Sequence, residues 1–369
     1  MNKIYYKNLF IYSSLQFTGN FEEYFAMHTE KLVAFILMPR GQYKENLIRC
    51  YEKGKLVEEE KVILSKNIFI YYLLWYFYQL LFLLRYFHRE EKVFLISFFP
   101  NSFFGIGLLK IIRNIEPVFW IADYFPPVSL FLRFYEKVKK YYNDKIKYVC
   151  YLSDIINSKY NKEIINSSYK KTIMWGIFPK KVTRKDVGKS DLTLLFVGVI
   201  RKSQGLEFLF EFLRTHNNYK VKIIGVGSEE LYEEYKKVIR DYKIESQVYF
   251  PNRFFSDSEL EEISKTCQIG VAFYDIDETS ATYFTDPGKI KAYAQLGLPI
   301  IMSDTSAIAP YVKKFRCGEV ISKNKLELEK AIVEVKENYE KYKKGLIEFN
   351  KHFYYNAYYR KSFKFLENI

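Results

Sequence analysis

Two lysines spaced two apart, Lys289 and Lys291, follow an Asp-Pro-Gly turn in residues 285–304 (TDPGKIKAYAQLGLPIIMSD). Asp286 reads as the cap of a helix and Pro287 as its first residue, where no backbone donor is needed. Gly297 ends that helix, and residues 298–302 form the short apolar run of a buried parallel strand. Cations in a first turn oppose the helix dipole by ~0.3–1 kcal/mol each. Free amides plus ammonium groups at such an end suit a phosphate. The alternative is that both lysines lie on an ordinary solvated face.

A second cationic loop lies upstream. Residues 192–198 read as a buried strand ending in Gly198, residues 199–205 as a loop carrying Arg201 and Lys202, and residues 206–213 as a helix. Strand, glycine-bearing loop and helix is the geometry of a phosphate site. Gly225 and Gly227 then turn the chain after the next strand, residues 221–225. Asp123 ends the strand at residues 118–122, in ADYFPP. A carboxylate there is placed to meet a ligand, or to cap the turn that the paired prolines impose. Gly19 sits in the loop after the first strand, residues 8–13. No cysteines or histidines stand at metal-ligand spacing, and the acidic loop at residues 275–278 reads as solvated, so no metal site is expected.

These loops need scaffolds to hold them. At 369 residues, 49% of them hydrophobic, the chain has material for two cores and is not a disordered chain. Strand and helix patterns alternate β-α-β-α through both halves, which predicts two doubly wound α/β domains enclosing a cleft. The charged stretch at residues 179–191 reads as the linker. The expected division is 1–178, a linker at 179–191, a phosphate-ready domain at 192–345, and an aromatic, basic C-terminal helix at 346–369 that crosses back to the first domain. Four scattered cysteines suggest a reduced, cytoplasmic protein. The net charge of +14 favours anionic partners.

Residues 67–87 (NIFIYYLLWYFYQLLFLLRYF) hold no charge before Arg85. A spanning helix needs ~20 apolar residues, so this stretch is marginal for crossing a bilayer. Strand and helix patterns resume at once after it, which favours a helix buried in the domain or lying on a membrane surface.

The ordered set of motifs resembles the GT-B glycosyltransferases of the "glycosyl transferases group 1" family. Leu195-Phe196-Val197-Gly198 through Gln204-Gly205-Leu206-Glu207 is similar to its phosphate loop. Lys222 through Gly227 resembles its next strand and turn, and Asp286-Pro287-Gly288-Lys289 through Ile301 its donor helix and strand. The sequence departs from the family near Asp123, where the family often has a histidine, and at four positions of the second half. Val199 and Gln204 stand where the family places an Arg and a Lys on the diphosphate. Phe284 and Ala292 stand where it often has two glutamates flanking the sugar.

The resemblance implies a retaining, metal-independent hexosyltransferase of GT-B architecture that needs no cofactor. Its donor would be a nucleotide-diphosphate sugar held by the second domain, and its acceptor a glycan or lipid-linked molecule on the first, in surface polysaccharide or glycoconjugate biosynthesis. Gly198, Arg201, Lys202 and Lys289 are the candidates for the diphosphate. Gly227, Thr285, Asp286 and Gly288 are those for the donor sugar or nucleotide, and Gly19 and Asp123 those for the acceptor side. Asp123, Asp286 and Lys289 are the catalytic candidates. An anionic membrane surface, on the inner face of the membrane, is a further candidate partner. Nucleic acid is not expected, since no reading motif accompanies the charge. The alternatives are a catalytically lapsed member that binds nucleotide or glycan and, ranked lower, a sugar-nucleotide epimerase.

Overall fold

The structure is a computed structural model. It describes residues 3–13, 21–36, 46–62, 65, 67–178, 192–274 and 281–367, and all that follows concerns these residues. The chain forms two compact units, Met1–Gly176 with Tyr355–Ile369, and Ile177–Tyr354.

The first unit opens with β1 (Tyr6–Ser13), α1 (Phe21–His28) and β2 (Thr29–Ile36). An antiparallel hairpin, β3 (Asn46–Glu52) and β4 (Lys55–Val62), comes next. Then follow α2 (Ile68–Tyr86), β5 (Val93–Ser97), α3 (Ile106–Ile112), β6 (Ile115–Ile121), α4 (Leu130–Lys145), β7 (Tyr148–Tyr151), α5 (Asp154–Tyr160) and β8 (Lys170–Thr172). The strand order is β4-β3-β2-β1-β5-β6-β7-β8, parallel except for the hairpin. Uninterrupted β-α alternation therefore fails in this unit. The charged residues of β4 make an exposed edge strand, ordered by its ladder with β3 and by a Lys53-Gly54 turn in which both residues have positive φ.

Adjacent residues of β6 show which helices cover which face. Trp120 packs on Phe21 of α1 (4.9 Å between ring centroids), while Phe119 packs on Phe103 (5.4 Å), just before α3. α4 reaches Phe103 through Tyr142, and α2 reaches the same segment through Trp75 on Phe99 and Gln79 on the Ser102 carbonyl. Hence α2, α3 and α4 share one face. The stretch at residues 67–87 is thus a packed helix, and no helix of the described residues is long and apolar enough to cross a membrane. Only one side of α2 is buried, through Trp75, Phe82 and Leu83. Leu73, Phe77, Leu81 and Leu84 lie open to solvent.

The second unit runs β9 (Leu192–Val197), α6 (Leu206–Leu213), β10 (Tyr219–Ile224), α7 (Glu229–Asp241), β11 (Val248–Tyr249), α8 (Asp257–Ser264), β12 (Ile269–Ala272), α9 (Ala281–Phe284), α10 (Gly288–Gln295), β13 (Ile300–Ser303), α11 (Ala309–Phe315), β14 (Gly318–Ile321), α12 (Lys325–Glu337) and α13 (Tyr339–His352). The sheet is parallel, in the order β11-β10-β9-β12-β13-β14. Leu194, Phe196, Ile223, Val271 and Ile301 fill its core. The chain leaves β9 towards β10 and re-enters at β12 on the other side, so the strand order reverses between β9 and β12. In open α/β sheets ligands bind outside the carboxyl ends of the strands at that point.

The single C-terminal helix expected within residues 346–369 is two helices. α13 stops at His352, and after Phe353 and Tyr354 the chain resumes as α14 (Tyr355–Ser362), which belongs to the first unit and packs Tyr359 on Tyr24 of α1.

Candidate functional site

At the reversal between β9 and β12 the backbone is drawn unusually close. Gly198, at the end of β9, has φ +134°, and a Cβ on it would meet Lys289 Cε at 3.3 Å. Gly205 has φ +71°, and a Cβ there would fall 1.9 Å from the Phe273 carbonyl. The positive φ favours glycine at both positions, and at Gly205 the Phe273 backbone also occupies the space a side chain would take. The Tyr293 hydroxyl accepts from Val197 N (3.0 Å) and donates to the Val271 carbonyl (2.8 Å). That hydroxyl ties β9 to β12 and fixes α10 beside them.

α10 presents Lys289 to this floor. Its Nζ donates to Gln204 Oε1 at 2.5 Å and lies 3.9 Å from the centroid of Phe196 and 5.0 Å from that of Tyr274. Burial brings the ammonium down to about 7. The two ring faces work the other way, since they favour a cation. No carboxylate of the described residues pairs with it. The space above Gly288, where α10 begins, is open, and the first amides of a helix have no partner within it. A half-buried cation beside a helix start with open space above it is the arrangement that suits an anion.

Asp286 does not cap α10. The cap position is Pro287, which offers no side-chain acceptor. Asp286 is 1% exposed, and its Oδ2 lies 3.3 Å from Lys291 Nζ, itself 4% exposed and 3.4 Å over the Phe353 ring. Burial lowers Lys291 to about 8, with Asp286 opposing that shift. The two lysines, similar in sequence, thus part company: Lys291 closes an internal ion pair and Lys289 faces the loop. Asp286 thus faces the interior, toward Lys291. Phe284 is equally buried, and Thr285 is half-buried between the two.

The first loop meets the next turn through Ile200 N on the Val226 carbonyl (2.9 Å). Gly227 N donates to Asn252 Oδ1 at 2.8 Å, and a Cβ on Gly227 would strike Ile200. Asn252 was not among the expected residues; its αL conformation (φ +47°) in PNRFF was the available sign. Arg201 is exposed. Lys202 is turned to Glu234 on α7 at 2.9 Å, with both side chains in solvent. Of the expected cations, then, Lys289 alone stands at the glycine floor, and it does so together with Gln204.

In the first unit Asp123 is exposed beyond β6, and its carbonyl accepts from Lys139 Nζ at 2.6 Å. Lys139 also pairs with Glu136 at 2.8 Å, and Glu136 accepts from Phe125 N at 3.1 Å. The ADYFPP turn is therefore pinned by α4. Sequence reading passed over Glu136 and Lys139, whose i,i+3 spacing was the clue. Gly19, the linker at residues 179–191 and the acidic stretch at residues 275–278 lie outside the described residues. Among the described residues no three His, Cys, Asp or Glu side chains gather as metal ligands do.

Comparison with known proteins places this geometry. Residues 191–338 match the sequence pattern of the family described as "Glycosyl transferases group 1", which covers most of the second unit. No curated protein matches. Among solved structures, Anabaena HepE in complex with UDP superposes with a TM-score of 0.70 at 12% identity, over 98% of this chain and 100% of that one. The E. coli trehalose-6-phosphate protein bound with UDP-2-fluoro glucose gives 0.68 at 12%, over 98% and 99%. WaaG, a glycosyltransferase involved in lipopolysaccharide biosynthesis, gives 0.60 at 14%, over 98% of both chains. At such identities the likeness is one of fold, and that fold is GT-B.

Proposed function

We propose that this protein is a metal-independent, retaining glycosyltransferase that takes a sugar from a nucleotide-diphosphate sugar, with UDP as the first nucleotide to try. The proposed acceptor is a glycan or lipid-linked molecule in surface polysaccharide or glycoconjugate synthesis, met in the cytoplasm at the inner face of the membrane. The family match in the second unit and the UDP-bound structures of the same fold support this reading. The observation that carries it is Lys289, a half-buried cation with no carboxylate partner among the described residues, held over Gly198 at the strand-order reversal.

In the proposed reaction the bond between the anomeric carbon and the β-phosphate oxygen breaks, and its electron pair leaves with the diphosphate. A new bond forms from the acceptor hydroxyl oxygen to the anomeric carbon, and the hydroxyl proton is released. Lys289 and the first amides of α10 oppose the charge gathering on the leaving diphosphate. They do so in a partly water-excluded place, where a fixed cation acts more strongly than in water. Gly198 lets the phosphates approach the backbone. Asp286 acts indirectly, by holding Lys291 and the start of α10 in register.

Titration with UDP and UDP-glucose, read by calorimetry, tests the site. Binding by the parent and weak binding by Lys289→Ala is the expected pair of results, and equal binding by both overturns the reading. A second reading, a lapsed member that binds nucleotide without transfer, is favoured by Phe284 and Ala292: the first is 1% exposed and neither can offer a carboxylate. Tight UDP-sugar binding with no turnover against any acceptor would select it.

A further inference from the structure

Each of the three helices on the outer face of the first unit exposes large apolar side chains away from the sheet. On α4 the exposed apolar residues are Leu130, Phe134 and Tyr141, at 83%, 66% and 57% exposure, and Phe131 at 65%, stacked on Tyr135. On α3 they are Leu108 and Ile111, at 64% and 69%. α2 adds the stripe led by Leu73 and Phe77, at spacings of three and four residues. Large apolar side chains exposed on three helices of the same sheet face are more than the single scattered ones normal for a soluble surface, and such exposure marks sites of interaction.

The charges on these helices narrow the choice of occupant. They carry seven lysines and arginines against two carboxylates, and both carboxylates are already paired, Glu136 with Lys139 and Asp144 with Lys140. Lys110, Lys137 and Lys145 remain exposed with no carboxylate partner among the described residues. Lys137 lies within the apolar stripe of α4, between Phe134 and Tyr141. A two-fold dimer through this face would set the same unpaired cations against their own copies. A helix too short or too polar to span, rich in Tyr and basic residues and apolar on its outer side, belongs at a lipid interface.

The geometry points to the outer face of α2, α3 and α4 as a docking surface for an anionic lipid bilayer, with the apolar stripes entering the headgroup layer and Lys110, Lys137 and Lys145 meeting lipid phosphates. The surface is larger than the single stretch at residues 67–87, because α3 and α4 supply much of it. It lies wholly within the first unit and needs no donor, so it stands or falls apart from the transferase reading.

The test is flotation of the full-length chain with vesicles of equimolar phosphatidylglycerol and phosphatidylcholine, against vesicles of phosphatidylcholine alone. At low salt the parent should float at least about tenfold more with the anionic vesicles, and salt should weaken this. Phe134→Glu and, separately, Leu108→Gln should lower flotation several-fold with circular dichroism and Tm unchanged, since both side chains are in water in the free protein. Ile347→Glu, on α13 of the second unit and equally exposed at 64%, should float as the parent does. The proposal is overturned if the parent stays unbound with both vesicles. Equal flotation of Phe134→Glu and Leu108→Gln with the parent also overturns it. So does a lipid-free dimer in analytical ultracentrifugation that Phe134→Glu dissociates while anionic vesicles capture nothing, which would assign the face to a second copy of the chain.

Discussion

Each unit holds a lysine near the carboxyl edge of its sheet, and the two are treated in opposite ways. Lys139 in the first unit is 3% exposed and fully engaged, with Glu136 at 2.8 Å and the Asp123 carbonyl at 2.6 Å. Lys289 in the second is half-buried, and its one hydrogen-bonding partner among the described residues is a neutral glutamine at 2.5 Å. A buried cation with a carboxylate maintains a fold, because removing either group strands the other. A partly buried cation without one is held at a cost to the empty protein, and an anionic ligand removes that cost. The contrast therefore separates a lysine that shapes a loop from one that waits for a ligand. Lys291, paired with buried Asp286, belongs with Lys139 despite lying two residues from Lys289.

The largest expected effect tests that grouping. Lys291→Ala takes one partner out of a buried ion pair, so unfolding free energy should fall by about 3–5 kcal/mol. Thermal denaturation read by circular dichroism checks this, and a Tm close to the parent's would break the grouping. Lys289→Ala comes next. It should leave Tm unchanged or slightly raised while UDP affinity falls by about ten- to a hundredfold, the worth of a charge-assisted contact of ~1.5–3 kcal/mol.

pH sharpens the same difference. In the empty site Lys289 titrates at about 7, below an ordinary lysine, because of burial. The diphosphate favours the charged amine, so binding above that pH must take up a proton. UDP-glucose affinity should therefore be flat below pH 7 and weaken with rising pH above it, by at most about tenfold per unit, until the pKa of the complex is reached. In Lys289→Ala the slope should vanish. The stability of the empty protein should move the other way. Its folded-state pKa is depressed, the unfolded chain binds more protons above pH 7, and the contribution of Lys289 to stability rises from there to the ordinary lysine range. The smallest effect is expected at Lys202, whose pair with Glu234 is exposed on both sides. Exposed pairs contribute ~0–1 kcal/mol, so Lys202→Ala should leave Tm near the parent's and shift UDP affinity by less than about threefold. A larger loss of affinity would return Lys202 to the diphosphate.

Much of the second unit could be read from its residues. The apolar run of β9, the glycine loop and the helix after it follow from local pattern, because a strand buried on both faces must be continuously apolar. The hairpin of β3 and β4 was hidden for the converse reason. KLVEEEKV buries little beyond Val62, so pairing rather than burial orders it, though Lys53-Gly54 was a legible turn. At the site, the glycines were legible and the partners were not. Gln204 and Lys289 meet across 85 residues of sequence. Asp286 and Lys291 are five apart, a spacing that shares no helix face, so Asp-Pro-Gly was read as a cap. Nor does a sequence rich in Phe and Tyr show which of two apolar stripes the core will take, and the open faces of α2 and α4 emerge only from packing.

α4 does two jobs on opposite sides of one rod. Lys139 points inward and grips the Asp123 carbonyl, while Phe134 and Tyr141 point away from the sheet. A helix with its side chains is about 10–12 Å across. Within that width one helix links the exposed stripe to the ADYFPP turn, so a surface that takes up the stripe bears on the same rod that holds the loop carrying Asp123.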